Sequence, residues 1–172
     1  MQKIILVGYM AVGKTTIAQL LSEKIDFKTV DLDKFIEQKI GLSIDEIFTQ
    51  KGELYFRKIE HKFFKEILDN DENNIISTGG GTPCYANNHL LLNGKNCVSI
   101  YLKASVNVVF ERLKDVKKKR PLVANKSEDE LKEFIAKHLF ERSYFYNYAT
   151  FKISTDFKTL ETIVEDILKV LF

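Results

Sequence analysis

The fold of this chain is decided by residues 4–16, which read IILVGYMAVGKTT. Four apolar residues that suit a buried strand lead into a loop that starts at Gly8 and ends with Gly13-Lys14-Thr15. A helical pattern follows, so the loop has the strand and the helix that the spacing G-x-x-x-x-G-K-[ST] requires. In such a loop, backbone N–H groups and the positive end of the helix surround phosphate oxygens. A chance turn between a strand and a helix is the alternative, and the matching context argues against it.

The loop predicts a site for ATP with Mg²⁺, in which two side chains have separate tasks. Lys14 is expected to contact the β- and γ-phosphates, and the hydroxyl of Thr15 is expected to ligate Mg²⁺. The other loop residues expected to bind the nucleotide are Gly8, Met10, Ala11, Val12, Gly13 and Thr16. Such loops occur in motors, switches, transporters and kinases, so the acceptor has to be inferred from other parts of the chain.

The composition restricts the class of protein and its partners. A chain of 172 residues fits one domain, residues 1–172, and a net charge of +2 is too small to indicate nucleic acid or a membrane surface as the main partner. The apolar run at the N-terminus is too short to span a membrane, and no cationic leader precedes it. Cys84 and Cys97 lack metal-ligand spacing and favour a reducing compartment over a disulfide scaffold. We therefore expect a soluble, cytoplasmic protein. We also expect it to bind small molecules and to be a monomer, although the sequence itself does not reveal the oligomeric state.

Strands and helices alternate along the chain. The chain has five β-rich runs, and most of them are near-continuous apolar stretches, as expected for strands that are covered on both faces. These runs are residues 3–7, 27–31, 74–78, 97–102 and 149–154. Apolar residues at helical spacing mark residues 53–69 and 160–171. The alternation predicts an α/β domain in which helices cover a parallel sheet.

Two segments depart from this alternation. Residues 32–70 insert about two helices between the second and third strands, and residues 115–128 are strongly charged. Ligands of open α/β sheets bind outside the carboxyl ends of the strands, so both segments are candidates for acceptor recognition and closure. The charged segment contains Lys117-Lys118-Lys119-Arg120, which is either a solvated loop or a lid that brings Arg120 to the transferring phosphate.

Acids and glycines follow two of the predicted strands. Asp31 and Asp33 end the second strand, and on an extended segment both project to the same side. One of them could hold Mg²⁺ through water while the other orients or deprotonates an acceptor hydroxyl, although one could instead cap a helix that starts near Lys34. The third strand ends in Gly79–Gly81, which indicates a backbone that lies close against a ligand or, alternatively, a flexible turn.

Two arginines are candidates for binding an anionic acceptor. Arg57 lies in a predicted helix with Glu60 three residues further on, where the carboxylate could hold the guanidinium in place. Arg142 precedes the fifth strand. Arginine recognises a planar carboxylate with two hydrogen bonds, which lysine cannot reproduce, although most surface arginines only aid solubility. Phe48 and Phe56 flank these residues and could form an apolar wall beside a small ring.

Together these motifs resemble the shikimate kinases, small ATP-dependent kinases of aromatic amino-acid biosynthesis. The likeness covers nearly the whole chain, and its combination of motifs is much narrower than the phosphate loop alone. The matching segments are Gly8–Thr15, Asp31 with Asp33, Gly41–Phe48, Gly52-Glu53, Phe56-Arg57, Gly79–Gly81, Arg120-Pro121-Leu122 and Arg142.

The resemblance implies a fold and a set of roles. The fold is a three-layer α/β/α P-loop kinase with a five-stranded parallel sheet in the order 2-3-1-4-5, inserted substrate-binding helices and a lid. The implied shikimate-binding residues are Asp33, Arg57, Gly79, Gly80, Gly81 and Arg142, with the two arginines on the carboxylate. Asp33 would position or deprotonate the 3-hydroxyl of shikimate.

The resemblance also assigns the donor side. Lys14 and Arg120 would stabilise the transferring γ-phosphoryl group of ATP. Thr15 would ligate Mg²⁺ directly, and Asp31 would act through water. Arg112 would stack on adenine.

The chain departs from the family pattern at three places. Ala11 replaces a common glycine in the phosphate loop, which is acceptable if its φ stays negative. Tyr144-Phe145-Tyr146 follow Ser143 where the family usually has Pro-Leu-Tyr, and the segment before Arg120 is rich in lysine. Two alternatives stay open: another small-molecule kinase, such as a gluconate or nucleoside-monophosphate kinase, and a nucleotide-dependent switch without phosphoryl transfer.

Overall fold

The computed structural model describes residues 2–114 and 125–172. Its five strands are β1 (Lys3–Val7), β2 (Lys28–Asp31), β3 (Asn74–Ser77), β4 (Cys97–Lys103) and β5 (Phe151–Ser154). All five strands expected from the sequence are confirmed, with ends that shift by one or two residues.

The strands form one parallel sheet in the order β2-β3-β1-β4-β5, which confirms the expected topology. Leu6 of β1 and Asp31 of β2 both pair with Ser77 of β3. The carboxyl ends of the three strands therefore lie side by side, and the segments that follow them meet at one edge of the sheet.

Seven α-helices and two short 3₁₀ helices accompany the sheet in the described residues. The α-helices are α1 (Lys14–Ile25), α2 (Leu32–Ile40), α3 (Ile44–Lys51), α4 (Glu53–Asp69), α5 (Val106–Lys114), α6 (Glu128–Tyr146) and α7 (Leu160–Leu171). The 3₁₀ helices are Thr82–Cys84 and Asn88–Asn93. None of the helices in this part of the chain is long and apolar enough to cross a membrane.

The segment between β2 and β3 contains three helices, so the expectation of about two was wrong. Gly41 ends α2 in a left-handed conformation with φ of 76°, as is common after a helix. Ser43 and Glu46 then form a capping box that starts α3. Gly52, with φ of 83°, separates α3 from α4. Short helices joined by single glycines are difficult to separate by periodicity alone, which explains the error.

The sheet has a hydrophobic core on each face. Ile4 and Leu6 of β1 point into the core shared with α1, α5, α6 and α7. Ile5 and Val7 point to the opposite side, into the core shared with α2, α3 and α4. All four side chains are fully buried, which explains why β1 reads as a continuous apolar run. The three layers hold the strand ends, and with them the polar edge of the sheet, in fixed positions.

Candidate active site

The phosphate loop connects β1 to α1 and requires glycine at both ends. Gly8 has φ of 149°, and a Cβ there would lie 2.7 Å from the carbonyl oxygen of Leu102. Gly13 immediately precedes α1 with φ of 96°, a conformation that strains other residues. Both positions therefore require glycine, as the motif predicts: Gly8 because of its φ and its close approach to β4, and Gly13 because of its φ.

Lys14 is the first residue of α1, and its ammonium group lies inside the loop. It donates hydrogen bonds to the carbonyl oxygens of Gly8 at 2.7 Å and Tyr9 at 2.9 Å. The side chain is buried, so its positive charge adds to that of the helix N-terminus with little screening by solvent. This arrangement suits the anionic end of a nucleoside triphosphate.

Ala11 adopts a left-handed conformation with φ of 62°, so the negative φ on which an easy fit of alanine depended is not found. A Cβ in this region approaches the following carbonyl oxygen, at a cost of about 1–2 kcal/mol relative to a relaxed conformation. Arg112 donates to the carbonyl oxygens of Val12 at 3.2 Å and Ala11 at 3.5 Å. These contacts place Arg112 on the outside of the loop, and its role in stacking on adenine stays a prediction.

Three oxygen-bearing side chains meet where β1, β2 and β3 end. The Thr15 hydroxyl donates to Oδ2 of Asp31 at 2.8 Å, and Oγ1 of Thr15 lies 3.3 Å from Oγ of Ser77. An all-oxygen set with one carboxylate fits Mg²⁺, which typically combines one or two carboxylates with substrate phosphates and water. Across the described residues, no cluster of three or more His, Cys, Asp or Glu side chains offers an all-protein metal cage.

Asp31 and Asp33 do not lie on one extended segment, contrary to the expectation from their spacing. Helix α2 begins at Leu32, so Asp31 is its N-cap and accepts the backbone N–H of Lys34 at 3.2 Å. Asp33 lies in the first turn of the helix. The alternative of a helix cap is therefore confirmed for Asp31, which also accepts the Thr15 hydroxyl.

Asp33 lies in an environment that disfavours its charged form. Burial raises the pKa of its carboxyl group to about 6, and the negative charges of Asp31 and Glu60 act in the same direction. The ammonium group of Lys14 partly opposes them. A carboxylate with a pKa close to neutrality is suited to accept a proton from a substrate hydroxyl.

Each glycine of Gly79–Gly81 leaves room for one functional side chain. A Cβ on Gly79 would lie 3.2 Å from Oδ1 of Asp33, and one on Gly80 would lie 3.5 Å from Nη1 of Arg142. A Cβ on Gly81 would lie 2.8 Å from Nη2 of Arg57. None of the three has positive φ, so close approach, rather than a flexible turn, is the physical reason for the glycines.

Arg57 is held on several sides by α4 and the turn after β3. Its Nη1 donates to Oε2 of Glu60 at 2.8 Å, and its Nε lies 3.5 Å from Oε1 of Glu53. The guanidinium carbon is 4.0 Å from the ring centroid of Tyr85 and 5.1 Å from that of Phe56. These contacts leave the side chain 15% exposed and fix the direction of its remaining donors.

Arg142 projects from α6 towards the same glycine turn. Its guanidinium carbon lies 5.4 Å from the ring centroid of Tyr9, which follows the first glycine of the phosphate loop. Within residues 2–114 and 125–172, Arg142 forms no ion pair. A partly buried cation without a carboxylate partner favours an incoming anion more strongly than one that is already neutralised.

The glycine turn also contacts the phosphate loop directly. A Cβ on Gly80 would lie 3.4 Å from the backbone nitrogen of Met10. Thr78 donates to the carbonyl oxygen of Leu6 through its N–H at 3.2 Å and its hydroxyl at 2.9 Å. The glycine turn and the phosphate loop are therefore neighbours at the carboxyl ends of β3 and β1.

Two residues at this site were not predicted from the sequence. The hydroxyl of Tyr146 donates to the carbonyl oxygen of Gly80 at 2.6 Å, and the hydroxyl of Thr82 donates to Oε1 of Glu60 at 2.7 Å. Tyr146 is four residues after Arg142, so helical periodicity could have placed both on one face of α6. Thr82 directly follows Gly81, but nothing in its sequence context indicates a carboxylate partner.

Two other sequence predictions have different outcomes. Phe48 and Phe56 pack against each other with ring centroids 4.6 Å apart, and Phe56 adjoins the Arg57 guanidinium. Arg120 and most of the predicted lid lie outside the described residues.

Comparisons with known proteins agree with this arrangement. The family model "Shikimate kinase" matches residues 10–172. A shikimate kinase of Flavobacterium johnsoniae is 56% identical over 171 residues, which are 99% of this chain and 99% of that protein. A crystal structure of shikimate kinase from Bacteroides thetaiotaomicron has a TM-score of 0.91 at 34% identity, over 99% of this chain and 98% of that one.

A third similar protein was solved with a ligand. This is a shikimate kinase from Acinetobacter baumannii in complex with shikimate, with a TM-score of 0.88 and 28% identity over 99% of this chain and 93% of that one. The family model covers all of the chain except the first nine residues, and the Flavobacterium relative matches almost its full length. On this evidence the chain belongs to the shikimate kinase family.

Proposed function

We propose that the protein transfers the γ-phosphoryl group of ATP to the 3-hydroxyl of shikimate and so forms shikimate 3-phosphate and ADP. One observation carries this proposal: Arg57, Arg142 and Asp33 each approach a different glycine of the same turn, beside the phosphate loop. Two guanidinium groups and one carboxylate at that distance suit a small acid that also carries hydroxyl groups.

On this proposal the acceptor is held by its charge and activated by a base. Arg57 and Arg142 bind the carboxylate of shikimate, and Gly79–Gly81 let the ring lie against the backbone. Asp33 accepts the proton of the 3-hydroxyl of shikimate while the hydroxyl oxygen attacks the γ-phosphorus of ATP. The bond between the γ-phosphorus and the oxygen that bridges to the β-phosphate breaks, and ADP leaves. The raised pKa of Asp33 makes its carboxylate a stronger base towards the 3-hydroxyl of shikimate than an ordinary aspartate would be.

The donor is held by the phosphate loop. Backbone N–H groups of residues 8–16 bind the phosphates of ATP, and Lys14 neutralises charge that builds up on the transferring group. Thr15 and Asp31 would hold Mg²⁺, which supplies further neutralisation of the phosphate oxygens when bound. Arg120 belongs to the same proposal as a second cation on the γ-phosphoryl group, and Arg112 as a contact of the base.

The remaining expectations form part of this proposal. Residues 1–172 form one P-loop kinase domain, with an acceptor-binding insertion at residues 32–70 and a lid at residues 115–128. We expect the enzyme to act as a cytoplasmic monomer without nucleic acid or membrane partners. Cys84 and Cys97 are free thiols.

The decisive experiment is a coupled assay of ADP release with three acceptors: shikimate, gluconate and AMP. We expect turnover with shikimate only, because the two arginines are placed for a carboxylate, which AMP lacks, and because the chain belongs to the shikimate kinase family. Turnover with gluconate or AMP but not with shikimate would overturn the proposal. Nucleotide hydrolysis without any acceptor dependence would instead support a switch.

A further inference from the structure

Glu60 is a buried carboxylate whose two oxygens have different partners. Oε2 accepts from Nη1 of Arg57 at 2.8 Å, and Oε1 accepts from the hydroxyl of Thr82 at 2.7 Å. Glu60 is 1% exposed and Thr82 is fully buried, so neither contact is replaced by bulk water. A buried carboxylate depends on complete hydrogen bonding, so the Thr82 hydroxyl is part of what holds Glu60 in one orientation.

Thr82 is itself fixed by contacts on both sides of its peptide. Its N–H donates to the carbonyl oxygen of Gly79 at 3.2 Å, and its carbonyl oxygen accepts from Nδ2 of Asn88 at 2.9 Å. Oδ1 of Asn88 lies 2.7 Å from Nδ1 of His61, which belongs to α4. The network therefore links α4, which carries Arg57 and Glu60, to the turn after β3 at two points.

The geometry leaves Arg57 little freedom to move. A Cβ on Gly81 would lie 2.8 Å from Nη2 of Arg57, so the guanidinium already lies against the backbone of the turn. A carboxylate with a single anchor can rotate about its terminal torsion, whereas Glu60 is held through both oxygens. A change at Thr82 would therefore alter the direction of the Arg57 donors without touching the substrate.

We propose that Thr82 is a positioning residue for the acceptor: its hydroxyl fixes Glu60, and Glu60 fixes the guanidinium that binds the carboxylate of the acceptor. This inference rests on the proposed function, in which Arg57 binds the carboxylate of shikimate. The alternative is that the hydroxyl only satisfies a buried acceptor and affects stability alone.

The test compares Thr82→Val, which keeps the shape and removes the hydroxyl, with Thr82→Ser, which keeps the hydroxyl. For the valine variant we expect the KM for shikimate to rise about tenfold, the effect of disturbing one hydrogen bond to a charged group. The kcat and the KM for ATP should change less than about twofold, because the donor site is not involved. The serine variant should keep the KM of the wild type.

A second acceptor distinguishes positioning from general damage. In the carboxamide of shikimate the carboxylate is replaced by a neutral amide, so the strong ionic contact with Arg57 is absent. For this acceptor the kcat/KM values of wild type and Thr82→Val should agree within about twofold, since only the orientation of Arg57 has changed. An equal loss with both acceptors would overturn the positioning role.

The outcomes separate this inference from the proposed function. A lower melting temperature with an unchanged KM for shikimate would show that Thr82 only stabilises the fold. If Thr82→Val does not fold, Thr82→Ala carries the same test, with a rise in KM of at least about fivefold expected and an unchanged KM overturning the inference. A wild-type enzyme that does not phosphorylate shikimate would refute the proposed function itself, before any variant is compared.

Discussion

The phosphate loop and the acceptor pocket are built in opposite ways. The loop is a contiguous segment, residues 8–15, that offers main-chain N–H groups and two functional side chains. The acceptor pocket combines charged side chains from three helices at a turn from a fourth part of the chain. These side chains are Asp33 of α2, Arg57 and Glu60 of α4, and Arg142 of α6.

This difference has a physical consequence for mutation. Main-chain donors survive most side-chain changes, provided that the backbone keeps its path. Buried pairs of opposite charges are more sensitive, because a substitution that removes one partner leaves the other charge buried without compensation. Substitutions in the acceptor pocket should therefore cost more than substitutions of comparable size in the phosphate loop.

The largest effect is expected for Asp33→Asn. The amide keeps the shape of the side chain but cannot accept the proton of the acceptor hydroxyl, so kcat should fall about 10²- to 10⁴-fold. Steady-state kinetics and ATP binding by calorimetry would check that nucleotide affinity is kept. Asp45→Asn, at an exposed position of α3, is the matched control and should behave as wild type. An unchanged kcat in Asp33→Asn would exclude the base and favour a switch.

Arg57→Ala should have the next largest effect, which should be on the KM for shikimate and not on the KM for ATP. Loss of one member of a buried charge pair costs about 2–5 kcal/mol, so the KM for shikimate should rise at least about 30-fold. Arg57→Lys should rescue little, because lysine cannot form two parallel hydrogen bonds to a carboxylate. Lys58→Ala, one residue further along the same helix and exposed, serves as the control. A KM that stays within twofold of wild type in Arg57→Ala would disprove the carboxylate contact.

Thr15→Val tests the metal-binding part of the donor site, which relies on side-chain oxygens. The substitution removes the hydroxyl that lies between Asp31 and Ser77, so the Mg²⁺ concentration for half-maximal activity should rise about 10- to 100-fold. Thr15→Ser keeps the oxygen and should titrate with Mg²⁺ as the wild type does. The titration is followed at saturating ATP and shikimate. Coincident Mg²⁺ curves for the valine variant and wild type would remove Thr15 from the metal site.

The two regions also differ in how far the sequence predicted them. The phosphate loop, all five strands and the sheet order follow from local patterns and the family resemblance, and the structure confirms them. The contact of Arg57 with Glu60 was also predictable, because residues three apart on a helix are neighbours. Local spacing is enough to predict the loop, the strands and the Arg57–Glu60 contact, whereas the sheet order was implied by the family resemblance.

Contacts between distant segments could not be predicted in this way. Tyr146 and Gly80 are 66 residues apart, and Thr82 and Glu60 are 22 apart, so only the assembled fold brings them together. The left-handed conformation of Ala11 could not be predicted for a related reason. Its φ is set by the course of the loop between Gly8 and Gly13, and local preference yields to that constraint.

Tyr146→Phe should have an intermediate effect that combines stability with acceptor binding. Without the hydroxyl, the carbonyl oxygen of Gly80 loses its donor in a partly buried setting, which costs about 1 kcal/mol. For a chain of this size each kcal/mol lowers the melting temperature by about 2–4 °C, which thermal unfolding would measure. Tyr144→Phe is the control, because its hydroxyl hydrogen-bonds with the Tyr148 hydroxyl at 2.9 Å, away from Gly80, and the residue is 61% exposed. Equal melting temperatures for the two variants would show that the bond to Gly80 contributes nothing.

Ala11→Gly should give the smallest effect and the opposite sign. Glycine adopts the left-handed conformation without a Cβ penalty, so the free energy of unfolding should rise by about 1 kcal/mol, less the entropy that glycine adds to the unfolded chain. Asp26→Gly is matched to it, since Asp26 ends α1 at φ of 52°, away from the loop, and should give a similar gain. Kinetics should show kcat and the KM for ATP within about twofold of wild type in both variants, because the main-chain donors keep their positions. A large loss of ATP affinity in Ala11→Gly but not in Asp26→Gly would mean that the Cβ of Ala11 holds the loop in shape. At that residue the ATP site would then depend on a side chain, as the acceptor pocket does, and the contrast between the two regions would fail.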